Sequence, residues 1–296
     1  MGRVAVLEPR DGADLFGPGS FHWDLTGDRR FALMFGSAFV LQTMHPQIGA
    51  AVSKQSTFQT DPWGRATRSL ASVLRWVYGG EGAREEARRL VKMHEKIRGT
   101  DDTGHSYDAL GAEAWAWVPL TAFHSLVKGY PYFYSAPLSV ADEEQAYREA
   151  LQLCRILHVP EASLPKTVAD YWAYFDDMVD HTLVGHPMAR AVVELWGHAP
   201  PPNELPDALR FAWPGVAKLG NRVFSLAVVG LLPERAREKL GLVWTTRDER
   251  NLRVLGSVVA RTFAHLPERA RYMGPAYQAR QAARQAARQA ERAEPG

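Results

Sequence analysis

A chain of 296 residues, 46% of them hydrophobic, is long enough to bury one large core or two small ones. Its 35 Lys and Arg against 33 Asp and Glu exclude the broad basic face of a dedicated nucleic-acid binder, and the small surplus is local, because residues 277–296 hold four arginines and two glutamates. The single cysteine, Cys154, excludes an intramolecular disulfide framework, a Cys-rich zinc site and an iron–sulfur cluster, and its apolar helical setting makes it a small core residue.

The first 27 residues are rich in Gly, Pro and Asp and read as an extended arm, with Glu8, Asp11 and Asp14 interrupting any run of signal-peptide length. The longest apolar run, 31–44, holds 14 residues where a membrane span needs about 20, so the expectation is a soluble cytoplasmic protein with no transmembrane segment. Helical periodicity then covers 28–44, 64–79, 82–98, 111–129, 139–157, 165–183, 187–196, 205–231 with a break near Pro214, 233–240, 247–265 and 274–292. The first of these is apolar nearly all round and belongs in the middle of a bundle; Pro46 breaks it after His45, which reads either as a cap on a buried helix end or as a pocket residue. In the helix 82–98, Ala83, Ala87, Leu90, Val91 and Ile97 share one face, Gly99 closes the helix, and His94 points into the apolar side. An imidazole there is either a hydrogen-bonded core residue or a ligand, and periodicity leaves both open. Ser139 to Asp142 makes a capping-box start, and Thr246 precedes another run. The Gln-Ala-Ala-Arg tail reads as a solvated helix with a drifting arginine stripe. The expected fold is all-α: an arm at 1–27, one large helical bundle over 28–279 and a basic helical tail over 280–296.

Several chemistries fail on spacing. His94-Glu95-Lys96-Ile97-Arg98 starts like a zinc-protease motif, but Arg98 stands where the second ligand should be. No Glu has a His three residues later, as a helical di-iron site requires, and there is no phosphate loop, dinucleotide fingerprint or nucleophile elbow. What remains is His94 on an apolar face with Arg65, Arg68 and Arg98 in the flanking segments. A haem suits such a set, because its macrocycle needs an apolar slot, its iron one neutral imidazole and its propionates arginine donors. Phe58, Trp63, Trp115, Trp117 and Phe123 could line haem or substrate, or simply pack the core.

Six segments in order, Leu41 to Pro46, Val52 to Arg65, Met93 to Gly99, Tyr107 to Thr121, Pro137 to Ala150 and Leu266 to Ala279, resemble the MpaB-like oxygenase family, which is related to the bacterial latex clearing proteins. The resemblance implies a mostly helical fold enclosing a b-type haem that uses dioxygen, in some members to cleave isoprenoid carbon–carbon double bonds. It implies that His94, in the family's His-x-x-[Val/Ile]-x-Gly motif, is the proximal iron ligand. Arg65, closing the Asp-Pro-x-Gly-Arg segment, would act near the distal face or a propionate, and His45 and Thr121 match the family's His-Pro histidine and the threonine after its Trp-Val-His.

Two positions depart from the family pattern. A His-Ser pair is replaced by Gln55-Ser56, and Trp-Val-His by Trp117-Val118-Pro119, while His124 lies about 140° round the helix from Pro119. The leading expectation is a haem b oxygenase or oxidase for a small apolar substrate, with His94, Arg65 and His45 as catalytic residues and Arg68, Arg98, Thr121 and Phe58 also contacting the cofactor. A haem or lipophilic-ligand binding module without turnover, and a peroxidase-type enzyme, stand as alternatives.

Overall fold

The computed structural model describes residues 15–57, 60–101, 104, 106–134, 136–194, 199–202 and 205–293. The first half of the chain forms α1 (Phe21–Leu25), α2 (Phe31–Met44), α3 (Pro46–Gln55), α4 (Pro62–Tyr78), α5 (Gly82–His94), strands β1 (Arg98–Thr100) and β2 (Ser106–Asp108), α6 (Ala112–Phe133) and α7 (Val140–Ile156). The second half forms α8 (Val168–Asp177), α9 (Pro187–Val193), α10 (Trp213–Gly230), α11 (Glu234–Leu240), α12 (Thr246–His265), α13 (Glu268–Arg271) and α14 (Gly274–Ala293). The fold is all-α apart from one antiparallel hairpin, which among the described residues is the sole sheet.

Apolar residues on every side of α2 leave it no face to give to water, and it lies at the centre, packed against α6, α9 and α10. Close approach to α10 depends on Gly36, where a Cβ would come within 2.5 Å of a Val228 methyl and 2.9 Å of the Phe224 ring. Around α2 the core is filled by Leu41, Met44, Trp117, Leu120, Phe133 and Tyr171, all nearly inaccessible, and Cys154 is buried among its neighbours as expected.

The structure corrects several element boundaries. The first long helix ends at Met44, before Pro46, as expected, but Pro46 also starts α3, since a proline at the first helical position lacks an N–H that the helix would leave unpaired anyway. The helix expected over 82–98 stops at His94; Arg98, Gly99 and Thr100 instead pair with Asp108, Tyr107 and Ser106, and the Ile97 carbonyl accepts from Ala109. The arm contains a helical turn, α1, whose first N–H groups at Phe21 and His22 are received by the buried Glu149 carboxylate at 3.0 and 2.9 Å. Ser139 makes the expected capping box with Asp142, whereas the cap of α12 is Thr245 with Asp248, one residue before the position expected.

At the other end, α14 is continuous across residue 280. Arg280 donates to Asp24 at 2.7 Å and to Glu268 at 3.0 Å and lies over the Tyr272 ring, while Arg284 pairs with Glu268. The first part of the arginine stripe is therefore ion-paired to the body, and only Arg288 and Arg292 fit the solvated reading.

Candidate functional site

His94 is the last residue of α5, which amphipathic packing against α4 and α7 holds with Leu90 and Val91 inward. One turn back, the Leu90 carbonyl, which closes the last intrahelical bond of α5 with the His94 backbone N–H, also lies 2.8 Å from His94 Nδ1. A carbonyl oxygen can only accept, so the Nδ1 nitrogen carries the hydrogen and Nε2 carries the lone pair. Burial lowers the pKa of His94 from its ordinary 6.5, the Leu90 contact opposes this, and the positive charges of Arg65 and Arg89 add to it. The Trp115 ring meets the imidazole edge-on, with centroids 5.0 Å apart. The result is a neutral imidazole, fixed in tautomer and orientation, whose Nε2 is engaged by no described residue.

Arg65 lies in the first turn of α4, which Asp61 caps through the Gly64 N–H at 2.9 Å. Its guanidinium donates to Ser56 Oγ at 3.3 Å and to Ser69 Oγ. Burial, with repulsion from Arg68, lowers its pKa from the ordinary 12.5, and among the described residues no carboxylate pairs with it. A half-buried arginine held by neutral hydroxyls keeps its charge available to an anionic ligand group. Arg68 differs: it is exposed and already spends donors on Asp61 at 3.2 Å and Thr57 at 2.9 Å.

His45 is 2% exposed at the α2–α3 junction, with Nε2 3.3 Å from the Glu113 carboxylate, and this bond holds the Glu113 carboxyl below its ordinary range. Glu113 also lines a cavity of about 550 Å3 between α3 and the hairpin, with Gln47, Arg98, Tyr107 and Asp108. Two helical steps are about 200°, so Glu113 and Trp115 leave opposite sides of the first turn of α6. The cavity, which touches His45 only through Glu113, and His94 with Arg65 are thus two separate neighbourhoods, and neither His45 nor His94 lines the cavity. Arg98, expected one helical turn beyond His94, is exposed on β1 and donates to the Glu95 carbonyl at 2.8 Å. Thr121 is fully buried in the α2–α6 seam, donating to the Val118 carbonyl at 2.8 Å and accepting from Gln42 at 3.0 Å, which leaves no O–H for a ligand.

Among the aromatic candidates, Trp115 alone is placed in contact with His94. Trp117 and Phe123 are core, Trp117 donating to the Leu41 carbonyl and stacking on Phe175. Trp63 instead meets Trp213 and donates to the Pro200 carbonyl. Phe58, like His198, lies outside the described residues. Gln55 is exposed at the end of α3, Pro119 is buried inside α6, and His124 is sealed in the core against Phe175 with ring centroids 4.3 Å apart. The partners that spacing did not reveal are Glu113 and Ser56; Ser69, four residues after Arg65 on one helix, is readable in the sequence.

Residues 23–261 match the family model described as ER-bound oxygenase mpaB/B'/Rubber oxygenase, catalytic domain. The chain belongs to this family. Searches of curated proteins and of solved structures returned no match. As a member of the mpaB/rubber oxygenase family the protein has an oxygenase kind of function, which implies a small-molecule substrate and dioxygen. The matched span includes His45, Arg65, Arg68, His94, Arg98 and Thr121, and excludes α14. No helix formed by the described residues is long and apolar enough to cross a membrane. Nor does any cluster of three or more His, Cys, Asp or Glu among the described residues offer a metal a full set of protein ligands. The chemistry of His94 and Arg65 fits a cofactor that brings most of its own ligands, as a haem does, since it asks for one imidazole nitrogen and a cationic donor.

Proposed function

We propose that the chain is a cytoplasmic haem b-dependent oxygenase acting on an apolar, isoprenoid-like small molecule, with His94 as the proximal iron ligand. One observation carries the reading: no described residue engages the Nε2 lone pair of His94, on a ring whose other nitrogen is tied to a backbone carbonyl. When bound, the haem supplies dioxygen activation at its iron. His94 offers a neutral nitrogen, and the Leu90 carbonyl, by accepting from Nδ1, fixes the ring and makes Nε2 more basic. Arg65 binds a propionate through charge-assisted hydrogen bonds, oriented by Ser56 and Ser69. Trp115 packs edge-on against the imidazole and helps to exclude water from it.

Gln55 and Pro119 support a second reading, a haem protein without turnover. Pro119 has no side-chain proton donor or acceptor, and Gln55 cannot titrate near neutral pH. Purified protein from cells given iron and haem precursor is expected to show a Soret band, with haem released by acid extraction because one cysteine cannot form a covalent attachment motif. Dioxygen uptake by the reduced protein with an apolar polyene supports the oxygenase; a Soret band without uptake supports the second reading; colourless protein rejects both.

A further inference from the structure

From Trp213 to Leu226, Ala217 is the only buried residue of α10, and Pro214, Gly215, Val216, Lys218, Leu219 and Arg222 are exposed on its outer side. The turn that leads into it, Asp207–Ala212, has no buried residue at all. Together they present Phe211 at 83% exposure, Leu219 at 64%, Val216 at 55% and Leu209 at 52%. Scattered exposed apolar residues are ordinary, but four large ones within eleven positions form a patch. Asp207 and Arg210 neutralise each other at 2.9 Å, while Lys218 and Arg222 have no acidic partner among the described residues, which leaves the platform net basic. The platform is also anchored: Trp213 donates to the Ala199 carbonyl at 2.9 Å and meets Trp63 edge-on, two positions before Arg65 on α4.

We infer that this platform, residues 207–222, docks the protein on the surface of a bilayer containing anionic lipid, with Leu209, Phe211, Val216 and Leu219 entering the headgroup–acyl boundary and Lys218 and Arg222 meeting lipid phosphates. Apolar side chains flanked by basic ones, on a helix too polar to span, are the composition that lies in an interface. A second copy of the chain fits less well. In a two-fold interface the same patch meets itself, which sets Lys218 and Arg222 against their own copies with no carboxylate to neutralise them. The inference stands apart from the haem reading, since it uses none of the residues assigned to that site.

The test is co-sedimentation of the full chain with vesicles of phosphatidylcholine alone and of phosphatidylcholine with roughly a third phosphatidylglycerol. Binding is expected to the anionic vesicles and to fall steeply as salt rises from about 0.05 to about 0.5 M. Each basic residue at an anionic surface contributes about a fivefold gain in partitioning, so Lys218→Glu with Arg222→Glu should lower it by well over tenfold. Phe211→Glu with Leu219→Glu should abolish binding while leaving the thermal melt unchanged, because both side chains are exposed. Failure to bind either vesicle, equal binding to both, or binding that survives the Phe211→Glu, Leu219→Glu pair overturns the inference. So does light scattering that shows a dimer dissociated by the same pair, which would make the platform a self-contact.

Discussion

A single acceptor decides what His94 can do. Because the Leu90 carbonyl takes the Nδ1 hydrogen, His94 keeps Nε2 for a ligand, whereas Thr121 has its donor committed and Arg68 is paired with Asp61. The arginines should therefore separate in a haem titration. Arg65→Ala is expected to weaken haem retention by about 1–3 kcal/mol, and Arg68→Ala to change it little, because among the described residues Arg68 pairs with Asp61 and Arg65 pairs with no carboxylate. His124 marks the opposite use of an imidazole. Complete burial, with Lys128 nearby, lowers its pKa from 6.5 to about 3. The unfolded chain takes up a proton at this residue below about pH 6.5 and the folded one does not, so its contribution is fully present above that pH and is lost as pH falls towards 3. The loss approaches about 1.4 kcal/mol per pH unit for one proton. Denaturant titrations across pH 7 to 4 should show that His124→Phe, which preserves the stack on Phe175, flattens the acid limb by about that slope.

At the scale of elements, helix periodicity is legible wherever a stripe of apolar residues faces the core, and boundaries fail where tertiary pairing competes. The first turns after Ser139 are readable because the cap and its partner lie three residues apart. The end of α5 is not, since the chain up to Arg98 is helical by local pattern, and Arg98–Thr100 becomes a strand only through pairing with Ser106–Asp108. In the same way the link between His45 and Glu113 spans 68 positions and leaves no periodic trace, although each residue is a plain helix-terminal type. The tail shows the same limit, as nothing in its Gln-Ala-Ala-Arg repeat announces Asp24 or Glu268 as partners. Deleting residues 286–296 should leave stability within about 0.5 kcal/mol. Arg280→Ala should cost about 1–2 kcal/mol, read as a lower melting temperature, because it strips charge-assisted bonds from two acids and uncovers Tyr272.

For the molecule as a whole, the centre of the bundle is the most legible feature, since a helix apolar on every side can only be interior. The site is legible in part: His94 and Arg65 are marked by residue type and order, and the structure brings them within electrostatic reach of each other. It sets His45 instead beside Glu113, which lines a cavity that none of His45, His94 and Arg65 lines. The central claim is that haem loading of the whole protein depends on one nitrogen, and the most direct measurement is the absorption spectrum of purified His94→Gly, before and after adding imidazole, beside the parent chain. Loss of the Soret band in the variant and its return with imidazole is the predicted result. A variant that keeps the parent's band and haem content without imidazole would show that another residue holds the iron.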